Sequence, residues 1–188
     1  MFLPKRLFLL GNIGCGKSSM LCEALGASVS LAGGFRTVRV VEQGRLTGFE
    51  LLAADGRRGR FCDLTQGVRR DDTVFSGLGA ELLREAARHP FAVLDEFGGM
   101  ELLVPEFRAA LFDFLRSDVP CIGVLKNEQA VQALLARITL DSPYEHHLQT
   151  LRAMLEADPD TRLLPTTGWQ DEETMAVLRQ WVKRYGEC

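Results

Sequence analysis

The sequence predicts a three-layer α/β fold, in which helices cover both faces of a largely parallel central sheet. One observation is the apolar run Arg6–Leu10, which ends in a glycine-rich loop and is followed by helical spacing from residue 17 to about residue 25. Another is a later apolar run, residues 91–94, which ends in two acidic residues and also follows a helical segment. Short runs that are apolar at every position are typical of strands buried on both faces, as parallel strands are.

Between these two units the pattern changes to short strand-like segments separated by turn residues such as Gln43-Gly44. Residues common in strands concentrate in three segments, residues 37–41, 49–53 and 61–64. Consecutive short strands joined by tight turns favour antiparallel pairing. We therefore expect a β meander inserted between the first helix and the second strand.

The alternation of helices and strands continues to the end of the chain. Helical spacing returns at Leu78 and ends near Pro90, and Pro105 suits the first turn of another helix. Residues 119–125 then form an apolar run typical of a buried strand. The remaining predictions are helices near residues 128–138, 144–157 and 172–185 and a short strand at residues 162–164.

Length and composition predict one globular domain spanning residues 1–188. The net charge of −3, from 22 basic and 25 acidic residues, gives no overall attraction for nucleic acid, so we expect no nucleic-acid partner. The apolar runs are far shorter than the roughly 20 residues of a membrane span, so we expect no membrane association. Five widely spaced cysteines without a CxxC pair suit a reducing, cytoplasmic location. The sequence identifies no protein partner.

Residues 11–18 read Gly-Asn-Ile-Gly-Cys-Gly-Lys-Ser and satisfy the GxxxxGK[ST] phosphate-loop (P-loop) motif between a predicted strand and a predicted helix. In this motif backbone N–H groups surround the phosphates, the lysine reaches the β and γ phosphates, and the hydroxyl binds Mg²⁺. We therefore expect Lys17 to be catalytic and Ser18 to be a metal ligand. The predicted nucleotide-binding residues are Gly11, Asn12, Ile13, Gly14, Cys15, Gly16, Lys17, Ser18 and Ser19.

Asp95 and Glu96 follow the apolar run 91–94 directly. In P-loop proteins an aspartate at the end of such a strand holds Mg²⁺, so Asp95 is the second predicted metal ligand. Glu96 is one residue beyond it, where a carboxylate can orient and deprotonate a water that attacks the γ phosphate. Glu96 is therefore the second predicted catalytic residue. The alternative is that both acids only cap the following loop.

The sequence resembles the THEP1-type nucleoside-triphosphatases, a family of P-loop proteins also described as nucleotide kinases. The resemblance covers about residues 6–126 and rests on the P-loop motif, on residues 34–37 with Gly48-Phe49, and on residues 95–102. The last stretch, Asp-Glu-Phe-Gly-Gly-Met-Glu-Leu, is similar to the family signature DEIGxMEL with Phe97 in place of isoleucine. The resemblance implies that Glu101 is a further carboxylate of the site. Arg39 and Leu46 depart from the family pattern, which usually has glutamate and arginine there.

Together these residues predict a nucleoside-triphosphatase that uses Mg²⁺ to hydrolyse the γ phosphate of nucleotides such as ATP or GTP. One alternative is a nucleotide or nucleoside kinase, in which Glu96 activates an acceptor hydroxyl. Another is a nucleotide-gated switch or adaptor, which would bind a partner in only one nucleotide state. Lys126 and Asn127 follow the strand after Asp95 and are candidates to sense the γ phosphate, although they do not form the NKxD guanine signature.

Overall fold

The computed structural model describes residues 3–126 and 143–186, which contain an eight-stranded sheet in the order β5-β4-β3-β2-β6-β7-β1-β8. The strands are β1 (Arg6–Leu10), β2 (Gly33–Glu42), β3 (Arg45–Leu52), β4 (Arg58–Asp63), β5 (Arg69–Arg70), β6 (Ala92–Phe97), β7 (Cys121–Leu125) and β8 (Thr161–Pro165). The described helices are α1 (Lys17–Leu25), α2 (Ala80–Glu85), α3 (Pro105–Leu115), α4 (Pro143–Ala157) and α5 (Glu172–Tyr185).

Two hydrophobic clusters lie on opposite faces of the sheet and make the fold three-layered. Along β1, Leu7 and Leu9 contribute to the cluster under α1 and α5, whereas Phe8 contributes to the cluster under α2, α3 and α4. This alternation follows from the two-residue period of a strand. All three side chains are fully buried, which explains why β1 reads as a continuous apolar run.

The parallel and antiparallel parts of the sheet meet in β2. Its first residues, Gly33 to Phe35, pair in parallel with β6, and its remainder pairs antiparallel with β3. Strands β3, β4 and β5 then continue the antiparallel meander. The predicted fold class, a largely parallel sheet with an inserted meander, is confirmed.

Several element boundaries differ from the sequence predictions. The second helix begins earlier than expected, as a π-helical turn at Phe75–Gly79, and closes with a 3₁₀ turn at Ala86–Arg88. Strand β6 extends to Phe97, and β5 was not predicted, since two residues are too few to show a period. The helix predicted near residues 128–138 lies outside the described residues.

Within residues 3–126 and 143–186, no helix is both long and apolar enough to cross a membrane.

Candidate active site

The P-loop connects the carboxyl end of β1 to the first turn of α1, as the sequence predicts. Gly16 caps the helix with φ of 96°, a conformation that favours glycine, and its carbonyl accepts the helical hydrogen bond from Met20 N at 2.9 Å. The amide groups of the first helical turn have no partner within the helix, and the helix dipole makes this end positive. The loop and the helix start therefore form a site suited to a polyanion.

The Lys17 side chain is largely buried beneath the loop that precedes it. Its ammonium group donates to the carbonyl oxygens of Gly11 at 2.9 Å and Asn12 at 2.8 Å. The third close contact is the sulfur of Cys15 at 3.9 Å, which is a weak acceptor. A phosphate oxygen that replaced this sulfur would gain a charge-assisted hydrogen bond, since an ammonium has three donors.

A cavity of about 780 Å³ opens in front of the P-loop. Seven of the nine predicted nucleotide-binding residues line it, namely Gly11, Ile13, Gly14, Gly16, Lys17, Ser18 and Ser19. Glu96 and Glu101 line the same cavity, which brings residues from β6 and the following turn to the P-loop. Asn12 and Cys15 are not among the lining residues. Their carbonyl oxygens instead accept hydrogen bonds from Lys17 and from Trp169.

Ser18 and Asp95, which are 77 positions apart in the chain, meet at the edge of the P-loop. The hydroxyl of Ser18 donates to Oδ1 of Asp95 at 2.8 Å, and Thr37 donates to the backbone oxygen of Asp95 at 3.0 Å. The contact forms because β1 and β6 are parallel, so that the carboxyl ends of both strands lie at the same edge of the sheet.

Asp95 is only 2% exposed, and burial raises its pKa to about 7, against the opposing hydrogen bond from Ser18. The nearby charge of Glu96 acts in the same direction as burial. A buried carboxylate with a hydroxyl beside it is a pair of hard oxygen donors, which Mg²⁺ prefers. The residues therefore fit the predicted metal, since a divalent cation would offset the cost of the buried charge.

Glu96 has a left-handed backbone conformation with φ of 64°. The register of β6 against β7 shifts between Asp95 and Phe97, so Glu96 forms a bulge at the end of the strand. In a regular strand the side chains of Asp95 and Glu96 would point to opposite faces of the sheet. The bulge allows both carboxylates to lie at the same site. Such conformations cost of order 1–3 kcal/mol for residues other than glycine and concentrate at functional sites.

Replacing Glu96 with glycine is expected to stabilise the fold while removing the carboxylate that is predicted to be catalytic. Glycine relieves the strained backbone, but it also adds entropy to the unfolded chain. The net increase in the free energy of unfolding should be about 1 kcal/mol, which corresponds to a rise in Tm of about 2–4 °C. Thermal unfolding of Glu96→Gly and of the wild type measures this.

Two variants control this experiment. Gln43→Gly changes the other described non-glycine residue with positive φ, at 50° in the β2–β3 turn, and should raise Tm without affecting turnover. Glu96→Gln removes the charge but keeps the strained backbone, so its Tm should stay below that of Glu96→Gly. A Tm for Glu96→Gly at or below that of the wild type would contradict the strain argument.

Glu101 and Lys126 form an ion pair at the wall of the cavity. Oε2 of Glu101 lies 3.2 Å from the ammonium of Lys126, and Oε1 accepts a hydrogen bond from Gly99 N at 2.7 Å. The Glu101 side chain is 4% exposed and that of Lys126 is 26% exposed. Glu101 thus fixes the turn after β6 and holds the lysine beside the site, whereas Asn127 lies outside the described residues.

Loss of the Glu101 carboxylate should destabilise the fold. Glu101→Ala leaves the buried Gly99 N–H without its acceptor, while Lys126 can still turn to water, so we expect a cost of about 1–3 kcal/mol. Urea unfolding measures the free energy. Asp113→Ala, at an exposed position on α3, is the control and should change it by less than about 0.5 kcal/mol. A free energy of unfolding for Glu101→Ala equal to that of the wild type would contradict the structural role.

The far wall of the cavity is aromatic and was not predicted from the sequence. It includes Phe49 of β3, Phe61 of β4 and Phe75, and the rings of Phe49 and Phe61 stack with centroids 6.3 Å apart. The β-like pattern of the meander marks these strands as partly buried. That pattern does not show which part of the chain packs against each face of the meander. The position of these aromatic residues beside the P-loop was therefore not predicted.

Arginines of the meander also reach the cavity. Arg39 and Arg70 line it, and Arg70 donates to the backbone oxygen of Met100 at 3.3 Å. Arg45 is exposed at the start of β3 and is not among the lining residues. Arg39 is one of the two positions that depart from the family pattern, and it places a positive charge where the pattern has a negative one.

Residues 6–148 match the protein family described as NTPase. The chain belongs to this NTPase family. The match includes every residue that lines the cavity, from Gly11 to Tyr144. The resemblance that the P-loop and residues 95–102 indicate is therefore confirmed.

Named relatives agree with the family assignment. The chain is 33% identical over 146 residues to "Nucleoside-triphosphatase THEP1" of Methanothermobacter thermautotrophicus, a match that covers 70% of this chain and 82% of that protein. It is 30% identical over 136 residues to the protein of the same name from Methanosarcina acetivorans, covering 64% of this chain and 75% of the relative.

Two solved structures share the fold. The crystal structure of THEP1 from Aquifex aeolicus superposes with a TM-score of 0.61 at 20% identity, covering 97% of this chain and 99% of that one. The solution structure of a human cancer-related nucleoside triphosphatase gives a TM-score of 0.62 at 22% identity and covers 95% and 96% of the two chains. At these identities the likeness shows the fold.

Proposed function

We propose that this chain hydrolyses nucleoside triphosphates at the γ phosphate and uses Mg²⁺ to do so. Membership of the NTPase family and the names of the relatives support the hydrolase activity. The observation that carries the finer proposal is the hydrogen bond of 2.8 Å between Ser18 and Asp95, with Glu96 next in the chain and facing the same cavity. This arrangement puts two hard oxygen donors and a second carboxylate at the mouth of the P-loop.

The chain's own residues have distinct roles in the proposed reaction. Backbone amides of the P-loop and the Lys17 ammonium bind the phosphate oxygens and stabilise the negative charge that shifts during transfer. Glu96 orients a water and accepts its proton as the water oxygen bonds to the γ phosphorus. The bond from that phosphorus to the β–γ bridging oxygen breaks, and its electron pair stays on the nucleoside diphosphate.

Ser18 and Asp95 are the residues that would hold Mg²⁺. When bound there, the ion would offset the negative charge of the phosphate oxygens. Other oxygen donors would come from phosphates and water, because Mg²⁺ usually keeps several of its waters.

A second candidate function, transfer of the γ phosphoryl group to an organic hydroxyl, is favoured by the size and lining of the cavity. Its volume of about 780 Å³ extends from the P-loop to Val38, Phe49 and Phe61 on the meander. A water molecule occupies only about 30 Å³. Apolar and aromatic lining with a few polar groups is typical of sites that bind organic molecules.

One experiment tests the proposal and separates the two functions. The protein is incubated with ATP, GTP, CTP or UTP, with Mg²⁺ or with a chelator, and with or without added nucleosides and nucleoside monophosphates. Hydrolysis predicts release of inorganic phosphate without an acceptor and none with the chelator. Transfer of labelled phosphate to an acceptor, without free phosphate in its absence, would favour the kinase. Release that is unaffected by the chelator would contradict the role of Mg²⁺.

A further inference from the structure

Trp169 is a large aromatic side chain exposed at the surface beside the P-loop. It is 58% exposed, whereas Trp181, the other tryptophan of the chain, is fully buried and donates from Nε1 to the backbone oxygen of Pro4 at 3.1 Å. A single exposed aromatic side chain is ordinary on a protein surface. The position of Trp169 next to the phosphate-binding elements makes it notable.

The loop between β8 and α5 is attached directly to the P-loop. Trp169 N donates to the carbonyl oxygen of Cys15 at 3.0 Å, and Thr166 N donates to that of Leu10 at 2.8 Å. Gly168 allows this approach because it has φ of 117° and because a Cβ there would lie 2.1 Å from the Cys15 oxygen. The backbone around Trp169 is thus fixed relative to the P-loop.

Side-chain hydrogen bonds fix the same loop from the other side. Oδ2 of Asp171 accepts from the Thr166 hydroxyl at 2.9 Å, and its Oδ1 caps α5 by accepting from Thr174 N at 3.0 Å. The Thr166 oxygen also accepts from Gly168 N at 3.1 Å. An aromatic ring on such a support loses little entropy when a ligand stacks on it.

The indole lies against the start of α1. A Cβ built on Gly16 would be 3.5 Å from Cβ and 3.7 Å from Cε3 of Trp169. Gly16 is the residue from which the first helical turn begins, and its neighbours Lys17 and Ser18 are the phosphate and metal residues of the proposed site. The ring therefore lies against a residue of the phosphate-binding loop itself.

The order of the strands determines which end of a bound triphosphate faces Trp169. Asp95 and Glu96 are on β6, which is separated from β1 by β7, while Trp169 follows β8 on the other side of β1. In the proposed reaction the γ phosphate must lie close to Glu96 and to the proposed Mg²⁺ ligands Ser18 and Asp95. The α phosphate and the nucleoside attached to it then extend away from β6, toward β8 and the indole.

We propose that Trp169 is the stacking surface for the base of the bound nucleoside triphosphate, an inference that rests on the proposed function. Stacking on an aromatic ring tolerates every base, because each has a π face. It also favours purines, which have the larger ring system. The site should therefore bind all four nucleotides, with ATP and GTP ahead of CTP and UTP.

Fluorescence and calorimetry test the proposal with non-hydrolysable β,γ-imido analogues of ATP and CTP and with tripolyphosphate as the base-free probe. The analogues should shield Trp169 from acrylamide quenching, and tripolyphosphate should not, while Trp181 gives the buried background. Trp169→Ala should weaken binding of the ATP analogue about tenfold, which is the usual scale for loss of one stacking ring, and leave tripolyphosphate binding unchanged.

Further variants separate stacking from a structural effect. Trp169→Phe keeps a ring and should retain most of the affinity, and in steady-state assays Trp169→Ala should raise KM while kcat stays within about twofold. Leu31→Ala, a 43% exposed position after the far end of α1, is the control and should change neither. Phe49→Ala tests the aromatic wall of the cavity as a rival base site.

The outcomes distinguish this inference from the proposed function. A wild-type protein that binds neither the analogues nor tripolyphosphate would contradict the proposed function, and the base site with it. Wild-type binding that Trp169→Ala leaves unchanged would contradict the base site alone, as would loss of affinity in Phe49→Ala but not in Trp169→Ala. Equal weakening of tripolyphosphate and nucleotide in Trp169→Ala would also contradict it, because the loop would then act only by supporting the P-loop.

Discussion

Replacement of Lys17 by alanine is expected to lower kcat/KM for nucleoside triphosphates by at least about 10²- to 10³-fold, the usual effect of removing one preorganised donor from a transition state. Lys17 is the cation of the P-loop, and its ammonium already lies 2.9 Å from Gly11 O and 2.8 Å from Asn12 O. The variant loses the group that is proposed to contact the β and γ phosphates, so binding should weaken as well. Phosphate release and calorimetry measure the two effects.

The control for this variant is Lys183→Ala, since Lys183 is exposed on α5. It should keep wild-type turnover. Thermal unfolding of Lys17→Ala separates lost catalysis from lost folding, because the buried side chain also contributes two hydrogen bonds to the loop. A folded Lys17→Ala protein with wild-type turnover would contradict the assignment of the P-loop as the phosphate site.

Glu96→Gln is expected to reduce kcat by about 10²- to 10⁴-fold while nucleotide binding stays close to that of the wild type, because glutamine retains the shape but cannot accept the proton of the water. The backbone strain at φ of 64° is kept, so the conformation of the bulge is not relaxed by this change. Single-turnover hydrolysis and calorimetry with a non-hydrolysable analogue together measure chemistry and binding.

Glu106→Gln, at an exposed position of α3, is the matched control and should leave both quantities unchanged. Unchanged turnover in Glu96→Gln would show that another group acts as the general base. Loss of nucleotide affinity at equal Mg²⁺ would instead place Glu96 among the metal ligands with Asp95.

The P-loop and its surrounding fold were predictable because they depend on local patterns. Arg6–Leu10 is buried on both faces, so its apolar run identifies a parallel strand without knowledge of its neighbours. The spacing of Gly11, Gly16 and Lys17 fixes the loop geometry within eight residues. Asp95 could be placed as well, since the carboxyl ends of parallel strands share one edge of the sheet.

Contacts between distant segments were not predictable from these patterns. Glu101 and Lys126 were considered separately as site residues, and only the structure shows that they pair. Trp169 is more than 150 positions from the P-loop in the sequence, and its place beside Gly16 depends on β8 pairing with β1. A short strand without a motif gives no information about which strand it joins.

The central claim, that water attacks the γ phosphorus, is tested most directly by hydrolysis of ATP with Mg²⁺ in water enriched in ¹⁸O. Mass spectrometry of both products after a single turnover locates the label. The account predicts one ¹⁸O atom in the inorganic phosphate and none in the nucleoside diphosphate. Label in the diphosphate would contradict it, because the attack would then be at another phosphorus.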